Sequence, residues 1–91
     1  MPRYFLHLRD SADEILDPEG IELPSEAIAG AALMAARDCM AGDVQSGQLD
    51  LRYRIDVHDD SGELVHSLPF PDAVQIVPAS QPASQPARLV A

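Results

Sequence analysis

The chain has 91 residues and a formal net charge of −9, from 15 acidic and 6 basic residues. That length allows one domain. The acidity argues against nucleic acid as a partner, since clustered Lys and Arg supply most of that affinity, and against an anionic membrane surface. Cys39 is the only cysteine, so no disulfide can close within the chain and a thin core must rely on packing, a metal or a second copy. Self-association as a homodimer is the expected solution. A basic protein is the other partner that the charge permits.

No stretch approaches the roughly 18 apolar residues needed to cross a bilayer. The opening Met1–Leu8 segment has too short an apolar run for a signal peptide. With a lone cysteine, which suits a reducing compartment, the expected location is the cytoplasm.

From Arg3 to Arg9, branched and aromatic residues alternate. Tyr4, Leu6 and Leu8 share one face of a predicted strand, Phe5 and His7 the other, and two half-apolar faces suit a central strand. Asp10–Asp13 has turn composition, and Glu14–Asp17 reads as a short second strand pairing back on the first. Pro18-Glu19-Gly20 makes another turn, and Ile21–Leu23 carries the chain to a helix. Pro24 precedes Ser25, a favoured N-cap, and Glu26 suits the first helical turn. Ile28, Ala32, Leu33, Ala36, Cys39 and Met40 fall on one apolar arc, and Gly42 is the expected stop. The many alanines make that arc flat enough to lie close on a sheet.

Leu49, Leu51, Tyr53, Ile55 and Val57 then alternate strictly with Asp50, Arg52, Arg54, Asp56 and His58, the pattern of a half-buried strand. Asp59-Asp60-Ser61-Gly62 turns the chain, and Glu63–Phe70 returns antiparallel until Pro69 and Pro71 end it. Val74, Ile76 and Val77 form a last short strand or an extended segment. The expected fold is therefore α+β, a two-layer sandwich of ββαββ order with four mainly antiparallel strands and one helix on one face. The domain is expected over 1–77. The Ala-Ser-Gln-Pro repeat and its surroundings make 78–91 a disordered tail.

Few chemistries find their parts here. Cys39 lies late in the helix on the apolar arc, where a free thiol acts as a small hydrophobe. No Gly-x-Ser-x-Gly elbow and no phosphate-cradling glycine loop occur. Asp10, Asp13, Glu14, Asp17 and Glu19 lack the spacing of a calcium loop, and turn and solvation duty explains them better. The metal candidates are His58, His66 and Asp56, if the hairpin register brings them together, although their spacing matches no compact zinc motif. Cofactors and catalytic residues are expected to be none. The candidate interaction face is Phe5, His7, Arg52, Arg54 and His58, a basic and aromatic patch on an acidic chain. Its bland counterpart is cross-strand charge pairing.

The opening Pro2-Arg3-Tyr4-Phe5-Leu6-His7-Leu8-Arg9-Asp10, then Asp17–Pro24 and an alanine-rich helix, resembles domain-of-unknown-function family 6894. Tyr53–Val57, Asp60-Ser61-Gly62 and Leu68-Pro69-Phe70 match its strand–turn–strand half. The resemblance spans Pro2 to Ala73 and implies a short cytoplasmic bacterial protein, found mainly in alphaproteobacteria. It transfers no activity. The leading expectation is a non-enzymatic protein–protein interaction module that self-associates. The alternatives are an antitoxin-like or regulatory acidic partner of a basic protein, and metal or small-ligand binding through the strand histidines.

Overall fold

The computed structural model describes residues 1–80. The repeat-bearing tail expected from residue 78 falls mainly on 81–91, outside the described residues. Five strands and one long helix follow in the order β1 (Arg3–Arg9), β2 (Glu14–Ile15), β3 (Ile21–Glu22), α1 (Ile28–Gln45), β4 (Arg54–Asp59) and β5 (Leu64–Pro69). The α+β, sheet-and-helix architecture is the one expected, with one strand more.

All pairings are antiparallel. β1 is central, with β4 along one edge and β5 outside β4. Its other edge is shared: β2 pairs at Leu8 and Arg9, while β3 pairs at Arg3 and Tyr4. Ile21–Glu22 thus does more than lead to the helix. The sheet is four positions wide, and a gap remains beside Phe5, Leu6 and His7.

Several boundaries differ from the sequence reading, and β2 stops at Ile15 rather than at Asp17. The alternating run starting at Leu49 enters the sheet only at Arg54. The reason is local: the Asp50 carboxylate accepts the Arg52 backbone N–H at 3.0 Å and two bonds from its guanidinium, closing a turn that bends the chain before it can pair. The helix runs past Gly42. Its stop is Gly47, at φ 94°, where the Gly47 N–H donates to Val44 and the Gln48 N–H to Asp43. That is a Schellman closure, which needs a residue free to turn left-handed. At the other end, Ser25 makes no side-chain cap bond and opens a 3-10 turn, Ser25–Ala27, ahead of α1. Val74–Val77 forms no strand.

Ala32, Ala36 and Met40, one helical face at spacings of four, pack with Tyr4, Ile55, Val57, Phe70 and Ala73 to form the core. The alanines let the helix approach closely. α1 lies over β4 and β5, and Arg37 ties it to the segment after β5 by donating from Nε to the Ala73 carbonyl at 2.9 Å. A helix about 10 Å wide spans only about two strands spaced about 4.8 Å apart. The helix side of β1 and its short partners is consequently covered less well. Ile15 faces Leu8 across the register and Ile21 faces Tyr4, so both lie on the helix side. They remain 62% and 47% exposed.

Candidate functional site

The face of the sheet opposite the helix carries the chemistry. Alternation along β1 puts Phe5, His7 and Arg9 there, and alternation along β4 adds Arg54, Asp56 and His58. Phe5 is directly across from His58, and His7 from Asp56. The rings form a row: Phe5 and His7 stack with centroids 6.5 Å apart, and His7 meets His58 at 5.1 Å. Together with Arg9 and the turn residues Asp59, Asp60 and Gly62 they line an open depression of about 400 Å³.

Four of the five expected interaction-face residues, Phe5, His7, Arg54 and His58, therefore share this face. Arg52 does not belong to it, because the Asp50 turn removes it from the strand. It pairs with Asp50 at 2.8 Å, and this bonding holds the Asp50 carboxyl at about 2.

Asp56, 4% exposed, is the anchor of the basic half. Its carboxylate accepts the Ser67 hydroxyl at 2.6 Å, Arg54 Nε at 3.1 Å and an Arg9 guanidinium N–H at 3.3 Å. Burial alone would raise this carboxyl, but the Ser67 hydroxyl and the two guanidiniums outweigh it and hold it below the ordinary carboxylate range. A carboxylate so fully engaged is a poor proton acceptor, and Ser67 gains no general base from it.

His7 is tied to the loop between β2 and β3. The Asp17 backbone N–H donates to His7 Nδ1 at 3.0 Å. The Asp17 carboxylate accepts the Leu6 N–H at 3.3 Å, filling the gap that β2 and β3 leave on the β1 edge, and also accepts the N–H groups of Glu19 and Gly20. Burial would raise the Asp17 carboxyl; the Gly20, Leu6 and Glu19 N–H groups win and lower it. Burial lowers His7, and neighbouring His58 and Arg9 add to the effect.

The β4–β5 register bears on the metal candidates. His66 is directly across from Val57, so its side chain is on the helix side of the sheet while Asp56 and His58 are on the other. A register shift between Val57 and His58 leaves Val65 as the extra residue, and His58 meets Leu64 instead. The metal trio of His58, His66 and Asp56 is split across the sheet. His7 cannot replace His66, because a ring that accepts an N–H on Nδ1 carries its own proton on Nε2 when neutral and has no lone pair there for a metal. Among the described residues no group of three or more His, Cys, Asp or Glu side chains could hold a metal ion. His58 Nδ1 is buried with no hydrogen-bond partner, a loss of roughly 1–3 kcal/mol for an unpaired group. Cys39 is half-buried, and burial, with Asp43 and Asp38 nearby, pushes its thiol up and away from reactivity.

Asp17 and Gly20 are the residues at this face that the sequence reading did not single out, while Asp56, a metal candidate there, instead anchors the arginines. Asp17-Pro18-Glu19-Gly20 is turn-like, and an Asp whose carboxylate can accept the N–H groups two and three residues further on is an Asx pattern visible in the sequence. Nothing local announces that the same Asp meets Leu6 and His7.

The described residues contain no helix long and apolar enough to cross a membrane. Fold and face define a small α+β domain whose open sheet surface carries rings, paired charges and a depression. The chain belongs to the family described as a domain of unknown function, DUF6894, matched over residues 3–71. No curated protein and no solved structure matches it.

Proposed function

We propose that this domain is a non-enzymatic interaction module that works through protein–protein contact and associates with a second copy of itself. The observation that carries this reading is the mismatch between a sheet four positions wide and a single helix. It leaves Ile15 and Ile21 exposed beside the half-buried Leu6 and Leu8 on the helix side. The core is also thin, three of its eight buried residues among those described being alanine, and a domain near this size seldom gets more than about 3–5 kcal/mol from one core. Covering the apolar shelf with its counterpart in another copy would extend that core. The edges are less suited to pairing. β2 and β3 are two residues each, and β5 ends in Pro69 and carries the irregularity at Val65. The same reading puts the protein in the cytoplasm, where a lone reduced cysteine is ordinary.

The engagement of particular carboxylates in structural bonds supports the non-enzymatic part. Asp56 is engaged by three donor side chains, and the carboxylates of Asp10, Asp17 and Asp59 are turned onto N–H groups of their own loops. The test is solution mass by light scattering over a concentration series, with and without zinc. A metal-independent dimer that the Ile15→Glu, Ile21→Glu double variant converts to monomer, with an unchanged circular dichroism spectrum, is expected. A wild-type protein that stays monomeric throughout the series overturns the reading.

A further inference from the structure

We propose that His7 and Asp17 form a pH-operated latch, which holds the Leu16–Gly20 loop on the β1 edge and opens when His7 takes up a proton. Four hydrogen bonds converge on Asp17, two tying it to β1 and two closing its own loop. Its N–H donates to His7 Nδ1, and its carboxylate accepts from Leu6 in β1 and from Glu19 and Gly20 in the loop. Gly20 in turn lies so close to β1 that a Cβ there would come within 2.7 Å of the Tyr4 carbonyl oxygen and 2.8 Å of the Phe5 ring. The loop is thus held at two points, and Asp17 fills the place that a paired strand would take beside Leu6.

One of those bonds depends on pH by its chemistry. A backbone N–H can only donate, so His7 Nδ1 must offer a lone pair. Protonation places a hydrogen on that atom, facing the Asp17 N–H, and the bond becomes a repulsion between two donors. The groups around the ring favour the neutral form. His58 on β4 and Arg9 on β1 oppose a positive charge, as does burial, while Asp17 in the loop and Glu14 on β2 pull the other way. Asp56 across the register is already occupied by Arg9, Arg54 and Ser67, and Asp59 and Asp60 border the same depression from the β4–β5 turn. The closed loop therefore stabilises neutral His7. By linkage, the proton that enters His7 must loosen the loop by the same free energy. Opening frees the Leu6 N–H on the sheet edge and uncovers the Phe5 ring together.

The experiment is nuclear magnetic resonance on the full chain from about pH 8 to about pH 5, the window in which a histidine titrates. It follows the carbon-bound ring protons of His7 and the amide exchange of Leu6, Glu19 and Gly20, corrected for intrinsic rates. His7 should titrate below its ordinary value of roughly 6.5. The three amides should lose protection through the same midpoint, by up to about tenfold for each pH unit separating closed-loop and open-loop His7. His7→Asn keeps an acceptor that does not titrate and should abolish the transition. His58→Asn removes one opposing neighbour and should move the midpoint upward. Amides that keep their protection through the His7 midpoint, the same loss in His7→Asn, or a His7 midpoint above its ordinary value would each overturn the latch. The last result would mean that the ring pairs with Asp17 as an ion.

Discussion

Changing Gly20 to alanine should cost about 2 kcal/mol more than the same change at Gly62, and the difference measures how firmly the 16–20 loop is seated on β1. Both glycines have positive φ, 71° and 86°, so each alanine meets the left-handed penalty of roughly 1–2 kcal/mol. At Gly62 nothing stands within 4 Å of the new Cβ, and the penalty ends there. At Gly20 the Cβ would come 2.7 Å from a backbone oxygen of Tyr4, a strand residue paired on both sides by Ile21 and Asp59. That oxygen cannot yield, so the loop must lift. Lifting endangers the bonds from Gly20 to Asp17 and from Asp17 to His7, each worth about 1 kcal/mol net. The sum is about 3–4 kcal/mol for Gly20→Ala against about 1–2 for Gly62→Ala. Urea unfolding followed by circular dichroism, comparing midpoints at a common slope, reads the difference directly. Equal losses at the two positions would refute the packing argument and show that the loop is not seated as described.

Other consequences are as concrete. Phe70 is 1% exposed with its ring 6.1 Å from that of Tyr53; Phe70→Ala should cost about 3–5 kcal/mol, and a thermal melt should show most of the protein unfolded near room temperature. Asp56→Ala strands Arg9 and Arg54 and should cost about 2–3 kcal/mol, below the full value for a buried pair because Arg54 is 40% exposed, whereas Ser67→Ala should cost about 1 in the same denaturant assay. Asp17 and Asp56 both lie below their ordinary range in the folded state. Their stabilising contribution is present above the unfolded value of roughly 3.9 and lost as pH falls through the folded values, so the melting temperature should drop on acidification and Asp56→Asn should flatten that drop. Gly30 lies inside α1 with nothing within 4 Å of a new Cβ, and Gly30→Ala should raise stability by up to about 1 kcal/mol in a urea titration.

The sequence was most informative where structure is periodic. Alternation in Arg3–Arg9 and from Arg54 to His58 named two strands and sorted their faces, so Phe5, His7, Arg54 and His58 were legible as one surface. The Ala32–Ala36–Met40 arc named the buried side of the helix, and the Asp59–Gly62 turn named the hairpin. It was less informative at ends, because several local signals compete there. Gly42 and Gly47 both look like stops, and only the bonds closing back on Asp43 and Val44 distinguish them. The Leu49–Tyr53 stretch has strand alternation, but the Asp50–Arg52 turn prevails.

What an element meets across space had no trace in the pattern. His66 and His58 read alike as strand histidines, and only the β4–β5 register, with its irregularity at Val65, separates them to opposite faces. Asp17 reads as a turn residue, yet its importance comes from the gap between β2 and β3 on an edge eleven residues earlier, at Leu6. Residue type and spacing by themselves determined which side chains could share a face, since side-chain direction follows backbone period. Only the tertiary structure decided which of them touch, because register, strand order and loop closure are set by contacts among segments far apart in the chain.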